Sequence, residues 1–138
     1  MKKHLALFAV FSVLLTACTS VKDDTSMPGA DDSELEVIIE QPGEDEVVTA
    51  PFAISGKARG YWFSEGQITV KVTDMDGETL FTGDFESSEW MTEDFVPFEV
   101  LVTSLDTEGL SSGMIVVEKA NPSGLPENDD SFKQSISF

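Results

Sequence analysis

Apolar and polar residues alternate with a period of two along most of this chain after residue 34. The clearest of these runs lie at 35–39, 52–56, 68–72, 98–102 and 132–138. This alternation is typical of strands that bury one face and expose the other. Turn-forming Gly, Pro, Asn and Asp residues separate the runs, and no stretch sustains a helical period of 3.6. The pattern therefore predicts about seven short strands within 35–138.

Seven strands in a segment of this size favour an all-β fold, an immunoglobulin-like β-sandwich. A small β-barrel is the alternative with the same strand rhythm. The acid-rich stretch around Asp76 and Gly77 predicts a tight hairpin between strands 67–73 and 79–85, with Gly77 at a positive φ.

The amino terminus has the order of charges and apolar residues of a secretory signal peptide. Lys2 and Lys3 precede an apolar run over 5–15, and small residues follow. The run is about half the ~20 residues that a transmembrane helix needs. Leu15-Thr16-Ala17-Cys18 resembles the lipobox of bacterial lipoproteins. That resemblance implies a signal peptide over 1–17, cleavage before Cys18, and lipid attached to Cys18.

Residues 18–34 are then a lipidated cysteine followed by an acidic tether. Thr19 to Glu34 contains little that could be buried, which predicts a flexible coil with a root-mean-square span of roughly 22 Å. The predicted location is the cell envelope, on the extracytoplasmic side. Because Thr19 rather than aspartate follows Cys18, the outer membrane is predicted if the host is Gram-negative.

The charge and the distribution of His and Cys restrict the chemistry. The chain has 8 basic and 26 acidic residues, and removing 1–17 leaves a net charge of −20. Such a chain is repelled by nucleic acid, so no nucleic-acid partner is expected. His4 is the sole histidine and Cys18 the sole cysteine. The mature chain therefore lacks the residues for Ser-His-Asp or Cys-His catalysis, for zinc sites built on these ligands, and for disulfides.

These exclusions predict a protein that is not an enzyme and that has no cofactor. A carboxylate-dependent enzyme acting on cell-wall glycans is the alternative, since such enzymes need only two suitably spaced acids. The predicted function is a lipid-anchored binding or assembly module of the bacterial cell envelope. Its partners would be the membrane, through lipid on Cys18, and an envelope protein or glycan.

Aromatic residues beside the predicted strands are the candidate partner-binding residues, namely Trp62, Phe63 and Trp90. Exposed aromatic side chains are common anchors at interfaces. The same residues could instead fill the core, as a tryptophan does in immunoglobulin domains. Three connecting segments, 58–66, 86–95 and 119–131, are predicted to gather at one end of the sandwich as the binding surface.

A polar loop near the carboxyl terminus has two interpretations. It offers side-chain oxygen atoms from Asn121, Glu127, Asn128, Asp129 and Asp130. Calcium takes such ligands, but Asn, Asp and Pro are also ordinary loop formers. The prediction is a structured loop without a metal.

Four strings together resemble a known family. They are FAISGKARGYWF at 52–63, DMDG at 74–77, WMTEDFVPF at 90–98 and NPSGLPENDD at 121–130. They are similar to the immunoglobulin-like domain of bacterial spore germination proteins, over about 35–138. The resemblance implies a β-sandwich in an extracytoplasmic setting and carries no catalytic residues. It also suggests an accessory factor in spore germination as an alternative function.

Overall fold

Two antiparallel sheets pack face to face in the computed structural model, which describes residues 34–138. The strands are β1 Val37–Gln41, β2 Phe52–Arg59, β3 Gln67–Asp74, β4 Thr79–Glu86, β5 Phe95–Val102, β6 Ser112–Glu118 and β7 Ser131–Ser137. The first sheet has the order β1-β2-β5 and the second β4-β3-β6-β7. The seven-stranded sandwich confirms the predicted all-β immunoglobulin-like fold. The predicted signal peptide, Cys18 and nearly all of the predicted tether lie outside the described residues.

The alternation of apolar and polar residues in the sequence corresponds to an alternation of buried and accessible side chains along the strands. In β5, Val96, Phe98, Val100 and Val102 point into the core and are buried, whereas the residues between them stay accessible. The neighbouring strand β2 follows the same rule in a continuous eight-residue register with β5. Each sheet therefore buries one face, and burial of apolar area is the main contribution to stability.

The two sheets approach each other closely at Gly83. A Cβ atom at this position would lie 2.5 Å from Cγ1 of Val100 on the opposite sheet. Ile54, Val70 and Ile115, all fully buried, fill the space between the sheets elsewhere. Glycine at position 83 permits this approach, because a Cβ atom there would force the side chain of Val100 or the strand β4 to shift.

The hairpin between β3 and β4 confirms the prediction for this stretch. Gly77 has a φ of 93°. The side-chain carboxylate of Asp74 accepts hydrogen bonds from the backbone N–H groups of Asp76, at 2.9 Å, and Glu78, at 2.8 Å. The carboxylate of Asp74 thus stabilises the turn.

Strand direction places the connections in two groups. The segments between β2 and β3, β4 and β5, and β6 and β7 lie at one end, where β1 begins; we call this the loop end. The remaining connections lie at the opposite end, called the far end. Within 34–138, no helix has the length and apolar character needed to cross a membrane.

Candidate functional site

The three segments predicted to form a surface are hydrogen-bonded to one another at the loop end. We call 58–66, 86–95 and 119–131 together the loop platform. The backbone N–H of Ala120 donates to the carbonyl of Trp62 at 2.9 Å, and that of Gly60 donates to the carbonyl of Asp94 at 3.0 Å. A third bond joins the N–H of Ser87 to the carbonyl of Gly66 at 2.8 Å. The segments therefore form one connected unit.

Gly60 permits the closest approach within the loop platform. A Cβ atom at this position would lie 2.1 Å from the carbonyl oxygen of Thr92 and 2.3 Å from that of Trp90. The backbone around residue 60 and the segment that connects β4 to β5 can pack together only because residue 60 has no side chain.

Trp62 lies in the core, and so does its neighbour Phe63. Their side chains are 2% and 4% exposed. Trp62 ends a 3-10 turn, Gly60–Trp62, that directs the indole inward after β2. Their burial agrees with the interpretation that these aromatic residues fill the core. Neither ring is accessible to a partner in this structure, and a role of Trp62 or Phe63 in partner binding stays a prediction.

Trp90 has an intermediate position. Its side chain is half-buried and packs against the edge of the core. A Cβ atom at Gly66 would lie 3.2 Å from Cδ1 of the indole, so the ring covers that glycine. Part of Trp90 remains accessible, and its role in binding stays a prediction.

Glu36, which the sequence did not single out, organises the polar atoms of these aromatic residues. Its carboxylate accepts one hydrogen bond from the indole N–H of Trp62, at 2.9 Å, and another from the hydroxyl of Tyr61, at 3.0 Å. Partial burial and this bond to a carboxylate raise the pKa of Tyr61 above its usual value. A buried tryptophan and a tyrosine both call for an acceptor, but the sequence does not indicate which acid supplies it.

Lys119 covers the outer side of the same aromatic pair. Its ammonium lies 5.3 Å from the ring centroid of Tyr61 and 5.9 Å from that of Trp62, within the range of cation–π attraction. In the other sheet, the guanidinium of Arg59 at the end of β2 lies 3.9 Å from the ring centroid of Phe95. Both basic side chains of the loop platform, Arg59 and Lys119, therefore contact aromatic rings of the same domain.

Most polar side chains of the 121–130 loop bind within the loop itself. The amide nitrogen of Asn121 donates to the carbonyl of Leu125 at 2.8 Å and to the carboxylate of Asp129 at 2.6 Å. The amide of Asn128 donates to the hydroxyl of Ser123 at 2.9 Å. Among residues 34–138, no group of three or more His, Cys, Asp and Glu side chains is arranged to hold a metal ion. The interpretation of this segment as a structured loop without a metal stays a prediction.

An open, mostly polar groove of about 580 Å³ runs between the end of β6 and the start of β7. Glu118, Asp129 and Asp130 contribute carboxylates to its lining. The carboxylate of Glu118 binds the ammonium of Lys71 at 2.7 Å, and that of Asp129 accepts the bond from Asn121. These two acids therefore already have partners within the domain.

Comparison with known proteins identifies a family for most of the sandwich. A family model described as the immunoglobulin-like domain of bacterial spore germination matches residues 36–124. The crystal structure of CopC from Methylosinus trichosporium OB3b is similar in fold, with a TM-score of 0.46 and 10% sequence identity. The similarity covers 73% of this chain and 91% of that chain, and at this level it carries no information on function. No curated protein matches the sequence.

Proposed function

Because this chain belongs to the family of immunoglobulin-like domains of bacterial spore germination, we propose that it is a non-catalytic binding or assembly module of the bacterial cell envelope. In this proposal, lipid on Cys18 holds the module on the extracytoplasmic side of a membrane. The loop platform binds an envelope partner.

The observation that carries the proposal is the connection of three loops into one unit on a rigid sandwich. Loops that are already ordered lose little conformational entropy when a partner binds, which favours affinity. Each of the three segments also exposes one large apolar side chain: Tyr61 is 46%, Met91 81% and Leu125 50% exposed. Side chains of this kind provide contact area for a partner.

Anchoring is tested with Cys18→Ser in the full chain. Each buried methylene contributes about 0.8 kcal/mol, so two or three acyl chains would hold the protein on the membrane almost permanently. We expect the wild type to sediment with membranes and the Cys18→Ser variant to remain in the supernatant. Equal sedimentation of both would disprove the lipid anchor.

Binding is tested by placing a photoreactive residue at Met91 of the anchored protein in cells. We expect a discrete crosslinked adduct from this position. Met75, which is 63% exposed in the β3–β4 turn at the far end, is the matched control position. Adducts of equal yield and identity from both positions would contradict a binding role for the loop platform.

A carboxylate-dependent enzyme acting on cell-wall glycans and an accessory factor in spore germination are the competing proposals. The groove lined by Glu118 and Asp129 is one opening where a pair of acids could act on a glycan. We expect the purified domain to release no reducing sugar from isolated cell walls. If it does, and Glu118→Gln abolishes the release, the non-catalytic proposal fails.

A further inference from the structure

The chain enters the sandwich through the loop platform. The carbonyl of Leu35 accepts a hydrogen bond from Nε of Arg59 at 3.1 Å, and the carbonyl of Glu36 accepts one from the Arg59 backbone N–H at 2.8 Å. The Glu36 side chain is held by Tyr61 and Trp62. The point at which the sandwich joins the preceding chain is thus fixed on the loop end.

The length of the preceding chain limits how far the loop platform can lie from a lipid on Cys18. Sixteen residues, Thr19 to Glu34, connect the two. Even fully extended, they span at most about 55 Å. The far end lies an additional strand length away, about 26 Å for the eight residues of β2.

We propose that the loop platform is the membrane-facing end of the domain and that it binds a cationic protein surface located at the same membrane. This inference rests on the proposed function, because it requires the anchor at Cys18. It adds an orientation for the domain and a chemical class for the partner.

The position at which the chain enters the sandwich identifies the loop end as the membrane-facing end. Exposed apolar residues and acidic residues do not distinguish the two ends, because both ends have them. The far end also exposes three large apolar residues, Val47, Met75 and Leu101. Its connections are acidic as well. The loop end alone receives the chain that leads to Cys18, so the loop end is held nearest to anything bound to that membrane.

The charge of the loop platform favours a protein, and not the lipid bilayer, as its binding partner. The loop platform has eight acidic residues, all of them exposed, and its two basic residues lie against aromatic rings. Anionic headgroups would repel such a surface. A partner with Lys or Arg side chains around an apolar pocket would complement both the acids and the exposed Tyr61, Met91 and Leu125.

Orientation is tested by energy transfer on the full lipidated chain in neutral phosphatidylcholine vesicles. The lipid occupies Cys18, so Met91→Cys or Met75→Cys introduces the sole free thiol for a fluorescent donor. With an acceptor dye in the bilayer, we expect several-fold greater transfer from position 91 than from position 75. If the protein sediments with the vesicles but energy transfer from position 91 is equal to or smaller than that from position 75, the proposed orientation is wrong and the anchor stands. If the protein does not sediment with the vesicles, the lipid anchor is wrong as well.

The partner class is tested by charge reversal in the presence of the photoreactive residue at Met91. Glu89 and Glu93 are exposed on the loop platform, and Glu44 and Glu108 are exposed at the far end. We expect Glu89→Lys with Glu93→Lys to reduce the yield of protein adduct several-fold, and Glu44→Lys with Glu108→Lys to leave it unchanged. Adducts with lipid alone, or equal losses from both pairs, would overturn a cationic protein partner.

Discussion

The carboxylate of Glu36 accepts a hydrogen bond from the buried indole N–H of Trp62 at a distance of 2.9 Å. This contact joins the residue that precedes β1 to a residue of the core 26 positions later in the chain. It satisfies the one polar atom of a side chain that is 2% exposed. The same carboxylate binds Tyr61, so one acid connects the entry of the chain, the core and the loop platform.

Replacing Glu36 by Ala should destabilise the domain. The indole N–H of Trp62 would lose its partner in a buried position, which costs about 1–3 kcal/mol. Glu40→Ala is the control, because Glu40 is an exposed acid on β1 and removing it changes the net charge by the same amount. Denaturant unfolding of 34–138 measures both variants. Equal stability of the two would show that the Glu36–Trp62 bond contributes nothing.

Trp62→Ala should cost about 3–5 kcal/mol of unfolding free energy, because it leaves a large cavity in the core. Met91→Ala, at an exposed position of the same loop platform, should change stability by less than about 0.5 kcal/mol. Chemical denaturation of the two variants compares a core residue with a surface residue. A small effect of Trp62→Ala would contradict its assignment to the core.

Much of the fold could be predicted from the sequence because strand alternation is a local signal. The hairpin at Gly77 and the gathering of three segments at one end follow from strand count and strand direction. The burial of Trp62 and Phe63 does not, since an aromatic residue beside a strand can turn inward or outward. The 3-10 turn after β2 decides the direction, and it depends on contacts with segments distant in the sequence.

The role of Glu36 could not be predicted from the sequence either. It is one of 26 acidic residues, and nothing in its local pattern distinguishes it from the others. Only the pairing of β1 with β2, which aligns Val37 with Ala58, brings Glu36 to the residues that follow β2. Sites formed by such distant pairings require the register of the sheet, which alternation alone does not fix.

Gly60→Ala should destabilise the loop platform. The new methyl group would overlap the carbonyl oxygens of Trp90 and Thr92, so the segment between β4 and β5 would have to move. Forcing extra atoms into a packed site typically costs about 1–3 kcal/mol. Gly43→Ala is the matched control, since its Cβ atom would lie 3.4 Å from a flexible carboxylate oxygen of Glu46 and needs no rearrangement. Thermal unfolding of both variants tests whether the close approach at residue 60 is required.

Tyr61 should make stability depend on pH in the alkaline range. Partial burial and the hydrogen bond to Glu36 raise the pKa of Tyr61 in the folded protein, whereas a tyrosine in an unfolded chain titrates near pH ~10. The folded state therefore holds the phenolic proton more tightly. The contribution of this group is complete below pH ~10 and is lost as the pH rises through the higher pKa of the folded state.

Tyr61→Phe removes the titrating hydroxyl and is the variant that isolates the effect. The lysine side chains are common to both proteins, so they do not contribute to the difference between the two curves. We expect the melting temperature of the wild type to fall more steeply than that of Tyr61→Phe from pH ~10 upward, and the two curves to run parallel at lower pH. Absorbance of the phenolate at each pH, measured on the folded wild type, gives the pKa directly. Parallel melting curves over the whole range, or a phenol that titrates in the folded protein at the same pH as in the unfolded chain, would show that Glu36 and burial do not hold the proton on Tyr61.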